Sequence, residues 1–160
     1  MSSAAARGVV VTVSTRAAVG EYEDRSGPII VAGLRDLGLR VADPVVVADG
    51  EPVRTALAAA IADADVVITT GGTGINPTDR TPELTAELLD VELPQLANQI
   101  AAYGVAHGVP TAVLSRGVCG VAGRTLVINL PGSTGGVRDG MAVLAPVLPH
   151  ALAQLAGGDH

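Results

Sequence analysis

Short β-branched runs alternate with helical segments along this chain, and this alternation constrains the fold more than any other feature. Residues 8–13 and 65–69 have the length and composition of strands. The second contains the uninterrupted apolar run Val66-Val67-Ile68, which is typical of a strand buried on both faces and therefore of a central parallel strand. The chain is thus predicted to form one α/β domain, with three layers and a mostly parallel central sheet.

Local signals place the other elements. A helix is predicted from an N-cap at Ser26 to a stop at Gly38. Residues 39–47 are predicted to form a strand that bends at Asp43-Pro44, because proline lacks the N–H that a central strand needs. The remaining expected elements are a helix from Glu51, a short helix from Thr81 with Leu84, Leu88 and Val91 on one stripe, a helix over 94–107, strands over 112–114 and 126–130 separated by a glycine-rich stretch over 117–123, and a final helical region split at Pro146.

Length and composition bound the class of protein. The 160 residues fit one domain, expected over 8–156, with a flexible N-terminal tail over 1–7 and a frayed C-terminal tail over 157–160. The net charge of −6 and the absence of lysine argue against binding to nucleic acid. No run reaches the ~18 apolar residues of a membrane span, and no secretory signal is apparent. The single cysteine, Cys119, fits a cytoplasmic location.

Three polar loops follow the predicted parallel strands, and the carboxyl ends of parallel strands meet at one rim of a sheet. These loops are Ser14-Thr15-Arg16, Asp49-Gly50-Glu51 and residues 70–74. In the third, the run Gly71-Gly72-Thr73-Gly74 can present successive backbone N–H groups to an anion such as a phosphate. It is not a Walker A loop, because that motif requires a lysine. A tight strand-to-loop turn is the alternative interpretation.

Two aspartates on this rim are candidate ligands of Mg²⁺. Asp49 and Asp79 lie on loops beside a strand end or a helix start, where a pair of carboxylates can hold Mg²⁺ against substrate phosphates. Local roles are equally open: Asp49 can close a turn at Gly50, and Asp79 can cap the helix near Thr81. Ser133, in a second glycine-containing turn, can either bind an anion or simply cap the last helical region, and Ser115-Arg116 can join the same pocket.

Several motifs occur in a fixed order along the chain. They are Asp24-Arg25-Ser26-Gly27, Thr69-Thr70-Gly71-Gly72-Thr73-Gly74, Pro77-Thr78-Asp79-Arg80-Thr81-Pro82-Glu83, Leu114-Ser115-Arg116-Gly117-Val118-Cys119-Gly120 and Ile128-Asn129-Leu130-Pro131-Gly132-Ser133. In this order and at these separations they resemble the MogA/MoaB family of molybdenum-cofactor biosynthesis, which includes the G domain of gephyrin.

The resemblance implies a molybdopterin adenylyltransferase, which transfers AMP from Mg²⁺·ATP to molybdopterin and releases pyrophosphate. It also implies a homotrimer and a MoeA-type partner that inserts molybdate into the product. The family's catalytic aspartates match Asp49 and Asp79, which are the expected Mg²⁺ ligands. The residues implied to line the pterin and nucleotide pocket are Ser14, Gly71, Gly72, Thr73, Gly74, Ser115, Arg116, Pro131, Gly132 and Ser133.

Other functions remain open at this stage. A non-catalytic molybdopterin-binding or scaffold protein of the same family would bind the pterin without releasing pyrophosphate from ATP. The related domain of CinA-type nucleotide hydrolases is disfavoured by the Gly72-Thr73-Gly74 run and by the absence of a second domain. A flavodoxin-like signalling domain needs a distal lysine that this chain lacks.

Overall fold

The computed structural model describes residues 4–158. None of the helices in this range combines the length and apolar character of a membrane span. The strands are β1 (Arg7–Val13), β2 (Arg40–Val41), β3 (Val45–Val47), β4 (Val66–Thr70), β5 (Val91–Glu92), β6 (Cys119–Ala122) and β7 (Thr125–Leu130). The helices are α1 (Thr15–Ala18), α2 (Ser26–Asp36), α3 (Glu51–Ile61), α4 (Thr81–Ala86), α5 (Pro94–Ala106), α6 (Thr134–Leu144) and α7 (Leu148–Leu155), and a 3₁₀ helix spans Pro110–Leu114.

The sheet is mostly parallel, as the sequence predicts. Its strand order within the described residues is β2-β1-β4-β7-β6-β5, and β3 also pairs with β1. β1, β2, β3, β4 and β7 run parallel, whereas β6 is antiparallel to both β7 and β5. The register places Thr12 beside Thr70, and Thr70 beside Leu130. The carboxyl ends of the three central strands therefore lie at the same level.

Helices cover both faces of the sheet and give the three expected layers. Successive residues of a strand point to opposite faces, so Ile68 packs in the cluster beneath α2, α6 and α7, whereas Val67 packs with α3 and α4. Both side chains are fully buried. This burial on both faces confirms the central strand that the Val66-Val67-Ile68 run predicts. Burying each such side chain stabilises the fold by about 1.5–3 kcal/mol.

Two expectations in the second half of the chain are wrong. Residues 112–114 belong to the 3₁₀ helix rather than to a strand. The glycine-rich stretch over 117–123 is not a simple loop, since it contains β6, which forms a hairpin with β7. Small residues are required there, because a Cβ on Gly120 would overlap the carbonyl oxygen of Val91 and the side chain of Leu89.

Other boundaries differ by smaller amounts. The strand over 39–47 is divided into β2 and β3, which agrees with the bend expected at Asp43-Pro44. The short helix is shorter than its predicted apolar stripe, which runs from Leu84 to Val91. Helix α4 ends at Ala86, and Val91 is an exposed residue of β5. Ser26 is the first residue of α2, where Asp24 Oδ1 accepts a hydrogen bond from the N–H of Gly27 and provides the capping interaction expected of Ser26.

Hydrogen bonds extend into the described parts of both predicted tails. β1 begins at Arg7, and the carbonyl oxygen of Ala6 accepts a hydrogen bond from the N–H of Arg40. At the other end, the N–H groups of Gly157 and Gly158 donate to carbonyl oxygens in α7. The predicted tails also include residues 1–3 and 159–160, which lie outside the described residues.

Candidate active site

The loops after β1, β3, β4 and β7 meet at one rim of the sheet. The N–H of Ser14 donates to the carbonyl oxygen of Val47 at 2.9 Å, and the N–H of Gly71 donates to that of Leu130 at 3.1 Å. These bonds continue the parallel ladders beyond the strand ends. The three loops singled out in the sequence therefore lie side by side, together with the turn Pro131-Gly132-Ser133.

The glycine loop requires glycine at its first two positions. Gly71 has φ of +95° and Gly72 has φ of +70°, in the region that residues with a Cβ rarely adopt. A Cβ would also overlap the carbonyl oxygen of Val13 in one case and the hydroxyl of Thr81 in the other. Within residues 4–158, the N–H groups of Gly72, Thr73 and Gly74 have no hydrogen-bond acceptor. They are available to bind an anion.

Two cavities flank this loop. The α5–α6 cavity, of about 380 Å³, lies between α5, the 3₁₀ helix and α6, and opens onto the glycine loop. The β1–α2 cavity, of about 520 Å³, lies between the ends of β1 and β4 and the start of α2. Gly72, Gly132 and Ser133 line both, so backbone and one hydroxyl form a wall common to the two cavities.

Most of the predicted substrate-binding residues line one cavity or the other. Of these, the α5–α6 cavity is lined by Gly72, Thr73, Gly74, Ser115, Pro131, Gly132 and Ser133. The β1–α2 cavity is lined by Ser14, Gly71, Gly72, Gly132 and Ser133. The hydroxyl of Ser133 accepts a hydrogen bond from the N–H of Gly136 at 3.0 Å and caps α6. Ser133 therefore caps the helix and also lines both cavities.

Asp79 lies in the α5–α6 cavity, beside the glycine loop. Its Oδ2 accepts a hydrogen bond from the N–H of Asn76 at 3.1 Å, which closes the turn before α4. It does not cap α4, which has no side-chain capping bond. Its Oδ1 has no partner among the described residues, and this oxygen is available to a ligand.

Asp49 lies on the rim but lines neither cavity. Its Oδ2 accepts a hydrogen bond from the Thr15 hydroxyl at 2.8 Å, and its N–H donates to the same hydroxyl at 3.1 Å. Within residues 4–158, no cluster of three or more histidine, cysteine or acidic side chains could hold a metal. Mg²⁺ is commonly held by one or two carboxylates together with substrate phosphates. The free oxygen of Asp79, beside the unpaired loop N–H groups, fits that type of site.

Arg116 lines neither cavity, and its guanidinium is hydrogen-bonded within the protein. Its guanidinium donates to the carbonyl oxygens of Gly74 and Asp79 at 2.9 and 2.8 Å, and to the carboxylate of Glu83 at 2.8 Å. The backbone N–H of Arg116 donates to the carbonyl oxygen of Thr73 at 2.8 Å. Arg116 is therefore bound to the protein on every side of its guanidinium, and it fixes the glycine loop to the Asp79 turn.

Among the charged and aromatic residues that line the two cavities, four are missing from the predicted site. Tyr22, Asp24 and Arg25 line the β1–α2 cavity, and Asp139 lines the α5–α6 cavity. Asp24 Oδ2 accepts a hydrogen bond from the hydroxyl of Thr12 at 2.8 Å, so it also positions the end of β1. The motif Asp24-Arg25-Ser26-Gly27 contains two of these residues, Asp24 and Arg25, and so indicates them in the sequence. Nothing local marks Asp139, which lies six residues after Ser133.

Cys119 and His107 have no place in this chemistry. Burial raises the pKa of the Cys119 thiol to about 12, and its side chain is only 2% exposed. A thiol of this kind is a poor nucleophile at neutral pH. His107 is exposed and stacks on Tyr103, with the ring centroids 3.8 Å apart.

The fold is that of a known family. Residues 9–150 match the family described as "Probable molybdopterin binding domain". Because this match covers most of the chain, the protein belongs to the molybdopterin-binding domain family, as the resemblance to MogA and MoaB proteins indicated.

Named relatives agree with this assignment. The chain is 42% identical over 154 residues to the "Molybdenum cofactor biosynthesis bifunctional protein" of Synechococcus elongatus, covering 94% of this chain and 48% of that protein. It therefore spans only about half the length of that relative. It is 38% identical to the "Molybdopterin adenylyltransferase" of Pyrococcus furiosus, covering 89% of this chain and 87% of that protein.

A solved structure confirms the fold. The structure of the molybdopterin biosynthesis Mog protein from Mycobacterium ulcerans is 54% identical to this chain, with a TM-score of 0.91. The match covers 97% of this chain and 99% of that one.

Proposed function

We propose that this protein is a molybdopterin adenylyltransferase, which transfers AMP from ATP to molybdopterin. The observation that carries the proposal is the common wall of the two cavities, where Gly72, Gly132 and Ser133 separate two ligand-sized spaces. A group-transfer enzyme needs two substrates whose reacting phosphates meet, and holding them in contact supplies much of the rate. The Pyrococcus furiosus relative carries the name of this activity.

The chemistry of each cavity favours one arrangement of the substrates. The α5–α6 cavity has aliphatic walls that include Ile100 and Leu114, which suit the flat pterin ring of molybdopterin. The β1–α2 cavity is more polar and carries Arg25 and Tyr22, which suit the phosphates and base of ATP. Arg25 has only a 3.8 Å ion pair with Glu23, and both side chains are largely exposed, so its charge is available to a phosphate.

In the proposed reaction, an oxygen of the terminal phosphate of molybdopterin attacks the α-phosphorus of ATP. A P–O bond forms to this oxygen, the bond between the α-phosphorus and the bridging oxygen breaks, and pyrophosphate leaves. The free N–H groups of Gly72, Thr73 and Gly74 hold the phosphate oxygens in place. Such fixed donors stabilise the charge that develops in the transition state.

Asp79 is the residue proposed to hold magnesium, through its free Oδ1. Bound Mg²⁺ would neutralise polyphosphate charge and so allow the two anionic substrates to approach. Without a cation, the Asp79 carboxylate would repel the same phosphates. Asp49 is the second catalytic residue and second magnesium ligand of this proposal, and the hydroxyl of Thr15 orients its carboxylate on the same rim.

The proposed assembly is a homotrimer that passes its product to a MoeA-type insertion protein in the cytoplasm. Exposed apolar residues on the 3₁₀ helix and the end of α5 support self-association, since Val113 is 66% exposed and Leu114 and Val105 are also exposed. Sedimentation equilibrium of the purified chain tests the trimer directly.

The activity is tested by incubating the protein with molybdopterin, ATP and MgCl₂, and measuring adenylylated molybdopterin and pyrophosphate. Replacing Asp79 by asparagine keeps an acceptor for the N–H of Asn76, so the turn should persist. We expect Asp79→Asn to lower turnover about 100-fold or more while molybdopterin binding stays near normal.

Asp43→Asn is the matched control, since the Asp43 side chain is 97% exposed and lines neither cavity. Wild-type turnover by Asp79→Asn would refute the role given to Asp79. If the wild-type protein binds molybdopterin but releases no pyrophosphate, it is a non-catalytic binding protein of this family, and the proposed activity is wrong.

A further inference from the structure

A carboxylate without a partner lines the α5–α6 cavity, away from the glycine loop. Asp139 is partly buried on α6, and its side-chain carboxylate makes no hydrogen bond and no ion pair with any of residues 4–158. It lies six residues beyond Ser133, which corresponds to about 9 Å along the helix axis. The cavity thus has an anion-binding end, at the glycine loop, and an anionic end, at Asp139.

A ligand that fills this cavity removes water from Asp139. A desolvated carboxylate destabilises the complex unless the ligand supplies hydrogen-bond donors. Two adjacent N–H groups are the best match, because a carboxylate can accept both of them in parallel. A ligand that presents a pair of N–H donors on one edge is therefore favoured at this end of the cavity.

Small and aliphatic residues form the cavity walls beside Asp139. Gly104 of α5 is buried opposite it, and a Cβ on Gly104 would lie 2.9 Å from the Cβ of Ala112 and 3.9 Å from Asp139 Oδ2. A larger side chain at position 104 would therefore narrow the slot. Ile100 and Ala101 continue the same wall.

We propose that Asp139 determines substrate specificity by accepting two hydrogen bonds from the aminopyrimidinone edge of the pterin, an inference that rests on the proposed function. That edge carries the N3–H and the 2-amino group side by side, both as donors. The adenine of ATP instead places an acceptor nitrogen beside its amino group. Asp139 therefore favours the pterin over adenine in the α5–α6 cavity and keeps the two substrates in their own sites.

A matched pair of ligands tests this directly. Lumazine differs from pterin in having a carbonyl in place of the 2-amino group, so it offers Asp139 one donor and one repelled oxygen. We expect wild-type protein to bind pterin at least about tenfold more tightly than lumazine in a fluorescence titration. Asp139→Asn, whose amide can donate to that carbonyl, should remove or reverse this preference.

Asp36→Asn, an exposed helical aspartate outside both cavities, is the control and should keep the wild-type preference. The inference is overturned if Asp139→Asn keeps the wild-type ratio, or if it loses both ligands equally. These titrations contain no ATP. If the wild-type protein prefers pterin but transfers no AMP, only the proposed activity is wrong. If it transfers AMP and Asp139→Asn keeps the wild-type ratio of pterin to lumazine affinity, only the role of Asp139 is wrong.

Discussion

Arg116 provides a test of whether a basic residue beside the glycine loop acts by its charge or by its hydrogen bonds. The sequence suggests a substrate-binding arginine, whereas the guanidinium is bound to the carbonyl oxygens of Gly74 and Asp79 and to Glu83. Lysine keeps the charge but not the planar fork of donors, so Arg116→Lys separates the two roles. Arg116→Gln removes both.

The magnitude follows from the bonds that are lost. Each hydrogen bond to a backbone carbonyl contributes about 0.5–1.5 kcal/mol net. The ion pair with Glu83 adds little, about 0–1 kcal/mol, because the two side chains are 39% and 40% exposed and solvent screens them. We therefore expect Arg116→Gln and Arg116→Lys to lower the free energy of unfolding by about 1–3 kcal/mol. Glu83→Gln, which removes only the ion pair, should change it by less than about 1 kcal/mol.

Urea unfolding followed by far-ultraviolet circular dichroism measures these changes at a fixed protein concentration, since the chain has no tryptophan. If Arg116 positions the loop, both variants should also raise the KM for molybdopterin, because the Gly72–Gly74 donors and Asp79 lose their mutual alignment. The reasoning fails if Arg116→Lys keeps wild-type stability and KM while Arg116→Gln does not. That result would show that Arg116 acts through its positive charge on the substrate phosphate and not through its hydrogen bonds.

Two further predictions concern the thiol and the glycine loop. The pKa of Cys119 is raised to about 12 from an ordinary value of 9.0, so the folded state holds its proton more tightly than the unfolded state. Stability should therefore fall by about 1.4 kcal/mol per pH unit as pH rises from about 9 toward 12, and Cys119→Ala, compared with wild type by urea unfolding at each pH, should lack that slope. Gly72→Ala should destabilise the protein by more than Gly123→Ala. Gly123 has a similar φ of +61°, but a Cβ there would have no atom within 4 Å, so this variant shows only the backbone cost of about 1–2 kcal/mol. Equal losses in the two variants would mean that the contact with Thr81 has no effect.

Local patterns in the chain predicted the central part of the fold. Val66-Val67-Ile68 specifies a strand buried on both faces, because no residue in the run can face water without exposing apolar surface. Ser133 is recognisable as a cap from the sequence alone, because its hydroxyl oxygen accepts a hydrogen bond from the N–H of Gly136, only three residues further on. Such signals depend on neighbours in sequence and can be read without a structure.

The antiparallel half of the sheet could not be predicted in this way. β6 is short and rich in small residues, and its strand character depends on pairing with β7 and β5 rather than on its own composition. Residues 112–114 carry an apolar pattern that a strand also shows, yet they form a 3₁₀ helix that packs on α5.

By itself, the sequence determined that three polar loops meet at one rim, and it predicts that the glycine loop there binds an anion. Only the tertiary structure decided which acceptors surround Arg116, since they lie 33 to 42 residues away along the chain. The same holds for Asp139, whose lack of a partner is a property of the cavity around it and not of α6. The periodicity of an element is set by adjacent residues, whereas the partner of a charged side chain is set by whatever the fold places within hydrogen-bonding distance.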